Sequence, residues 1–150
     1  MGGLKLIFDA EHQDFDLGLT GMHLTRERGL ETYVAVSMFT DARAPEGERL
    51  PAAGDDRRGW WADEFHEDQT TPFGSLLWLL ADAKRTPQTL LRLQQYTRDS
   101  LRWMVPARMA SSFAVAAEYL GDNSLIRTTI TQPRNKHPYE AAWEVQLHAV

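Results

Sequence analysis

The residues best suited to chemistry crowd into one stretch, GDDRRGWWADEF, from Gly54 to Phe65. Its acids, Asp55, Asp56, Asp63 and Glu64, are of the type that cleaves a glycosidic bond. In that reaction two carboxyl groups flank the sugar, one protonating the leaving oxygen. Arg57 and Arg58 argue against this use. A guanidinium beside a carboxyl favours its charged form, which is wrong for a proton donor. Acids and arginines so placed more readily pair with one another and hold a loop in shape. The five histidines, His12, His23, His66, His137 and His148, are scattered. Asp63, Glu64, His66 and Asp68 form a loose cluster whose spacing fits no familiar metal geometry. There is no cysteine, no GxSxG and no glycine-rich phosphate loop. The sequence therefore points to no catalytic residue, no metal and no cofactor.

What remains in the stretch is adhesive. Two adjacent tryptophans in a loop cannot easily enter the same core, so one of Trp60 and Trp61 is expected inside and the other on the surface. Tryptophan and arginine are the types most enriched where binding energy concentrates. Guanidinium groups also stack on rings and fork onto carboxylates. Arg57, Arg58, Trp60 and Trp61 thus read as a docking surface shaped by the loop's own ion pairs. A second set of cations, Arg85, Arg92, Arg98 and Arg102, lies along a helical segment that Arg108 follows. Asp99 and a net charge of −5 speak for a protein contact or a solvated face there rather than a nucleic-acid groove. Arg102, at the helix end, joins the partner-binding candidates.

The elements that must position these residues are legible in part. Leu4, Leu6 and Phe8 alternate as in a short strand, and DLGLTGMHLT reads as a glycine-broken pair of short strands. Leu30, Tyr33, Val34, Ser37 and Met38 share one face of a helix over 29–39. From Thr40 to Pro72 no period is visible. Connections longer than about 12–15 residues are usually functional or disordered, and the tryptophans argue for order in the second half. PFGSLLWLLADAKR is apolar nearly all round, which predicts a buried helix. Thr86 then caps a third helix with Pro87 at its first position and an inner stripe of Leu90, Leu93, Thr97, Leu101 and Met104. The last third alternates with period two, broken by GDN and PRNKHP, as in an antiparallel meander with one buried face. Short strands, three helices and a three-stranded meander make a single α+β domain over 1–150.

Composition agrees. At 150 residues, 43% hydrophobic and 25% charged, the chain has enough material for a core without cross-links. Its opening, MGGLKLIF, lacks the layout of a signal peptide. Its longest apolar run falls well short of the ~20 residues a membrane span needs. A soluble protein with no membrane and no nucleic-acid partner is expected.

In order and spacing, GLETYVAVSMFTDARA, GDDRRGWWADEF and GSLLWLLADAKRTPQTL resemble the phage Mu-type gene-46 protein family, baseplate proteins of contractile-tailed phages. DDRRGWW is the most specific block, and the likeness runs from about Leu17 to the final strands. That family is similar in turn to the gene-25-like wedge proteins. The resemblance implies a gene-25-like wedge fold and a virion location in the tail baseplate, after synthesis in the host cytoplasm. It implies a structural role as an inner wedge subunit in six copies per baseplate, and no enzyme activity. The implied partners are the larger wedge proteins, the tail sheath protein, whose first ring it would seed by strand addition at an open sheet edge, and tail tube or hub proteins. Gene-25-like relatives carry a Glu-Pro-Arg motif after the last helix. Here the matching position reads VPARMA, so Pro106 and Arg108 stand in for its Pro and Arg, with Ala107 between them and the Glu missing. Arg108 joins the candidates on that ground. Some relatives bear a lysozyme-like label, so the alternative is a small carboxylate-dependent peptidoglycan hydrolase at the tail tip.

Overall fold

The structure is a computed structural model that describes residues 6–9, 14–17, 19–20, 23–24, 30–51, 54–65 and 72–147. Two small hairpins come first. Strands β1 (Leu6–Asp9) and β2 (Asp14–Leu17) pair antiparallel, as do β3 (Leu19–Thr20) and β4 (His23–Leu24). Helix α1 spans Glu31–Phe39 and helix α2 Pro87–Leu101. The chain ends in a meander of β5 (Ser112–Leu120), β6 (Asn123–Thr131) and β7 (Tyr139–Gln146), with β6 in the middle.

The meander forms because its alternation gives it one apolar face. Val115, Ile126, Ile130, Trp143 and Val145 point to the helices and are buried. Arg127, on the opposite face, meets Glu118 across the strands at 3.1 Å. The β5–β6 hairpin turns through Gly121 and Asp122, and Gly121 takes the left-handed φ of 55° that glycine adopts at no steric cost. Helix α2 begins where Thr86 Oγ1 accepts the Thr89 N–H at 3.2 Å. Its stripe of Leu93, Thr97 and Leu101 continues into Met104, all fully buried, with Leu90 half-buried. Leu30, Val34, Ser37 and Met38 of the first helical segment are buried as the period requires; Tyr33 is exposed and Ala35 takes a buried place.

The middle helix does not form. The described residues hold two α-helices, and LWLL at Leu77–Leu80 is a 3₁₀ turn instead. Both its ends are already committed: Ser75 pairs with Asp41 in a parallel bridge, and Thr86 caps α2. Its two buried leucines, Leu77 and Leu80, are three apart, the spacing that a 3₁₀ turn brings to one side. An apolar run without a period is the pattern in which length and flanks decide, and here the flanks win.

The bridge fastens the long connection to the core. The Ala42 N–H donates to the Ser75 carbonyl at 2.9 Å, and the Ser75 N–H to the Thr40 carbonyl at 2.8 Å. Ser75 Oγ donates to the Met38 carbonyl at the end of α1. Gly74 precedes it at φ 105°, where a Cβ would sit 2.3 Å from the Thr40 carbonyl oxygen. Gly74→Ala is therefore expected to cost on the order of 3 kcal/mol or more, since a backbone oxygen cannot move aside without breaking the bridge. Gly47→Ala, also at positive φ but facing open space, costs about 1–2 kcal/mol. Denaturant midpoints of the two variants measure the contrast.

Candidate functional site

Behind the bridge the chain runs along Ala42–Ala44, with both alanines buried. It is held from two sides. The Trp78 indole N–H donates to the Ala42 carbonyl at 2.9 Å. The Ala44 N–H donates to the Arg57 carbonyl, also at 2.9 Å. The GDDRRGWW segment thus returns against the strap that left α1.

Its turn is tight. Asp56 Oδ1 accepts the Arg58 N–H at 2.8 Å, a side chain standing in for backbone two residues on. Arg58 follows at φ 52°, and Gly59 at φ 121°, where a Cβ would press on Arg43 at 3.1 Å. Among the described residues the two arginines find their ion pairs outside the loop's own acids, which corrects the expectation from sequence. Arg58 Nη1 lies 2.6 Å from Asp41 Oδ2, and its guanidinium stands 4.5 Å above the Trp78 ring. Arg57 donates to the Pro45 carbonyl and approaches Glu46 at 3.8 Å. The reason is geometric: neighbours in a tight turn point apart, while the strap lies alongside.

The tryptophans divide as expected. Trp60 is half-buried with its ring centroid 5.1 Å from Phe73, and Trp61 is 73% exposed. The rings form a continuous ladder. Trp103 anchors it by donating its N–H to Ser37 Oγ at 2.9 Å. Phe73 follows at 6.3 Å, then Trp60, then Trp61 at 6.0 Å from Trp60, then Phe65 at 6.1 Å from Trp61. Phe65 is 78% exposed. The ladder leads from the core to open solvent along edge-on and tilted contacts of the kind aromatic pairs prefer.

Beside the ladder lies a groove of about 670 Å³ between the strap and the end of α2, lined mainly by apolar groups including Phe73, Tyr96, Trp103 and Pro106. Arg102 lies on the α2 side, paired with Asp99 at 2.9 Å. Asp63 is the only one of the four loop acids on its wall. One of its oxygens accepts the Phe73 N–H at 3.1 Å; the other, Oδ2, is buried without a partner among the described residues. Asp55, Asp56 and Glu64 are exposed. Arg108 is elsewhere, on a separate depression with Leu30, Val105 and the Gln132–Asn135 turn. The six candidates thus divide: Arg57, Arg58, Trp60 and Trp61 share the connector, Arg102 faces it across the groove, and Arg108 stands apart. Phe73, Trp78, Tyr96 and Trp103 belong to the site although the sequence did not mark them, because each reaches it from an element that reads as plain core.

His12, His66, Asp68 and His148 lie outside the described residues, so the loose acidic cluster beyond Glu64 does too. Among the described residues no three His, Asp or Glu side chains gather as for a metal ion. Also among them, no helix is long and apolar enough to cross a membrane.

Exposed rings, tethered cations and an apolar groove are features that protein-binding faces share. Residues 30–137 match the family described as "Phage protein GP46", and the chain belongs to that family. It is similar to the "Baseplate protein gp46" of Escherichia phage Mu, 41% identical over 105 residues, 70% of each chain. It is also similar to the "Mu-like prophage FluMu protein gp46" of Haemophilus influenzae, 34% identical over 117 residues, which are 78% of this chain and 76% of that protein.

Two outcomes test the geometry. Arg58→Ala, which loses an ion pair and a ring contact, should cost about 1 kcal/mol of stability; Trp61→Ala, with its ring in solvent, should stay within about 0.5 kcal/mol. Burial chiefly, then the charges of Glu48 and Asp99, raises the Tyr96 phenol above the usual value near 10, against a lowering by Arg92. The folded chain therefore keeps a proton that the unfolded chain gives up first. Tyr96 contributes stability that is whole below that usual value and is lost as pH rises through the higher folded one. Absorbance titration should show a late tyrosinate component that Tyr96→Phe removes.

Proposed function

We propose that this chain is an inner wedge subunit that docks a larger baseplate protein through its connector and the end of α2, and seeds the tail sheath by strand addition. It is a structural protein of a phage tail baseplate, and that is where its relatives' names put it. The finer role is supported above all by one observation: the Trp61–Phe65 pair stands in solvent yet is held by ring contacts that reach back to the core. Large exposed rings on a monomer usually mark a surface that something else covers. A pair fixed in place before binding loses little freedom when it does. Arg58 supports this by fixing the turn from behind. Arg102, largely exposed although paired with Asp99, offers charge at the rim.

Strand addition is supported by the sheet order. With β6 central, β5 and β7 each keep one rim unpaired by any strand among the described residues. Backbone N–H and C=O groups along such a rim are ready to pair with an incoming strand. Six copies would place one such rim at each position of a sixfold ring.

The test is co-purification of the intact chain with the larger baseplate proteins of the same phage. Trp61→Ala should weaken capture by roughly 30-fold or more, the scale of an interface hot spot, while Leu91→Ala, an exposed residue on the opposite part of α2, should leave it unchanged. Equal capture by both variants would count against the connector as the contact.

A further inference from the structure

A second depression, of about 840 Å³, lies beyond the end of α2, and Arg108 and Arg134 share its lining. Its apolar part includes Leu30 and Ala110, both buried, half-buried Met109 and exposed Val105. No aspartate or glutamate is among its described lining residues, on a chain with 21 acids against 16 lysines and arginines. Both arginines are exposed, and neither guanidinium has an ion pair or hydrogen bond among the described residues. Nor are they needed to close the turns that carry them. The Met109 and Ala110 N–H groups both donate to the Met104 carbonyl, at 3.0 and 3.1 Å. Asn135 Nδ2 donates to Gln132 Oε1, and Asn135 Oδ1 accepts the His137 N–H, each at 3.2 Å. The Ser111 N–H donates to the Thr131 carbonyl at 2.8 Å and ties the two turns together. Arg108 takes φ 59°, which glycine would hold without strain. Two like charges on one lining also repel each other. An anion seated between them offsets both costs.

We propose that this depression docks an acidic segment of a partner protein, with one carboxylate on Arg108, another on Arg134 and an apolar side chain against Met109 and Val105. It is a second surface, separate from the connector, and it goes beyond the docking reading above without depending on it. The planar fork of a guanidinium matches a carboxylate with two parallel bonds. The apolar part of the lining gives a protein side chain a place to bury surface, and it has nothing to offer a sugar-phosphate backbone. The net charge of −5 repels a polyanion such as nucleic acid at long range. A short acidic segment carries far less charge, so the two local arginines outweigh that field.

Arg108→Gly isolates the claim, because it removes the guanidinium and relieves the backbone at once. The immobilised full-length chain is used to select from a displayed library of random peptides. The expected consensus is two aspartates or glutamates flanking an apolar residue. Arg108→Gly and Arg134→Ala should each lower the affinity of a selected peptide about tenfold, and Arg134→Lys should lower it less than Arg134→Ala. Changing the acid that meets Arg108 to glutamine should cost nothing further on the Arg108→Gly chain, as for one shared contact. The melting temperature of Arg108→Gly should hold or rise, so that lost binding is not lost folding. Arg134→Ala, in an exposed turn, carries the test should Arg108→Gly fail to fold. Trp61→Ala should bind the same peptides as the parent chain does. A consensus without acids, peptides indifferent to both arginine variants, or equal binding of a single-stranded oligonucleotide would overturn the proposal. Peptides lost on Trp61→Ala but kept on Arg108→Gly would place the acidic segment on the connector and overturn it too.

Discussion

The connector depends on the pairing of Asp41 with Ser75. A stretch of backbone with neither helix nor sheet must still satisfy its N–H and C=O groups wherever it is covered. Here the short parallel bridge does so for Thr40, Ala42 and Ser75, and the Ser75 hydroxyl ties the same point to the end of α1. Everything adhesive hangs from that point. The strap it fixes gives Arg57 its carbonyl partner, gives Arg58 its carboxylate, and presents one wall of the groove. Gly74 is required because no side chain fits between the two passing strands. The described parts of the connection nearest the bridge are thereby tied to the core.

The aromatic ladder transmits the same order outward. Trp103 is fixed by Ser37 of α1, itself bonded to the Tyr33 carbonyl. The inner rings, Trp103, Phe73 and Trp60, are half-buried, the outer two, Trp61 and Phe65, are exposed, and each rests on the one before. Exposing Trp61 and Phe65 costs hydrophobic stabilisation that a free-standing monomer would gain by turning them in. Two large rings are thus left in solvent at some expense to the stability of the isolated chain.

The sequence made legible whatever a regular period could carry. The stripe of α2 and its Thr86 cap, the three strands and their inward faces, and the division between Trp60 and Trp61 all emerge as the patterns require. What it concealed has a physical reason in each instance. LWLL lacks a period, so nothing local tells a buried helix from a 3₁₀ turn; the decision comes from Ser75, held by a residue far back in the chain. The partners of Arg57 and Arg58 are hidden because acids two or three places away look closer in sequence, though the fold makes Glu46 the neighbour of Arg57 and Asp41 that of Arg58. The groove was invisible for the same reason: Asp63, Phe73 and Trp103 come from three separate segments. The family match over 30–137 covers α1, the connector, α2 and the first hairpin of the meander, so the elements that build the groove all lie within it.

Backbone conformation adds a last argument. Among the described residues, two that are not glycine have positive φ, and both are arginines of the candidate set: Arg58 at 52° and Arg108 at 59°. That region disfavours a side chain by about 1–2 kcal/mol, and glycine would fit either place without strain. An arginine kept there must return something through its side chain. For Arg58 the return is on view, in Asp41 and the Trp78 ring. For Arg108 the backbone is well engaged, its N–H bonded to the Val105 carbonyl at 2.9 Å, but its exposed guanidinium has no ion pair among the described residues. It stands over the depression with Leu30 and the Gln132–Asn135 turn, away from the groove. The two arginines therefore differ: the charge of Arg58 is spent on holding the connector in shape, while that of Arg108, in a strained turn beyond α2, meets no ion pair among the described residues.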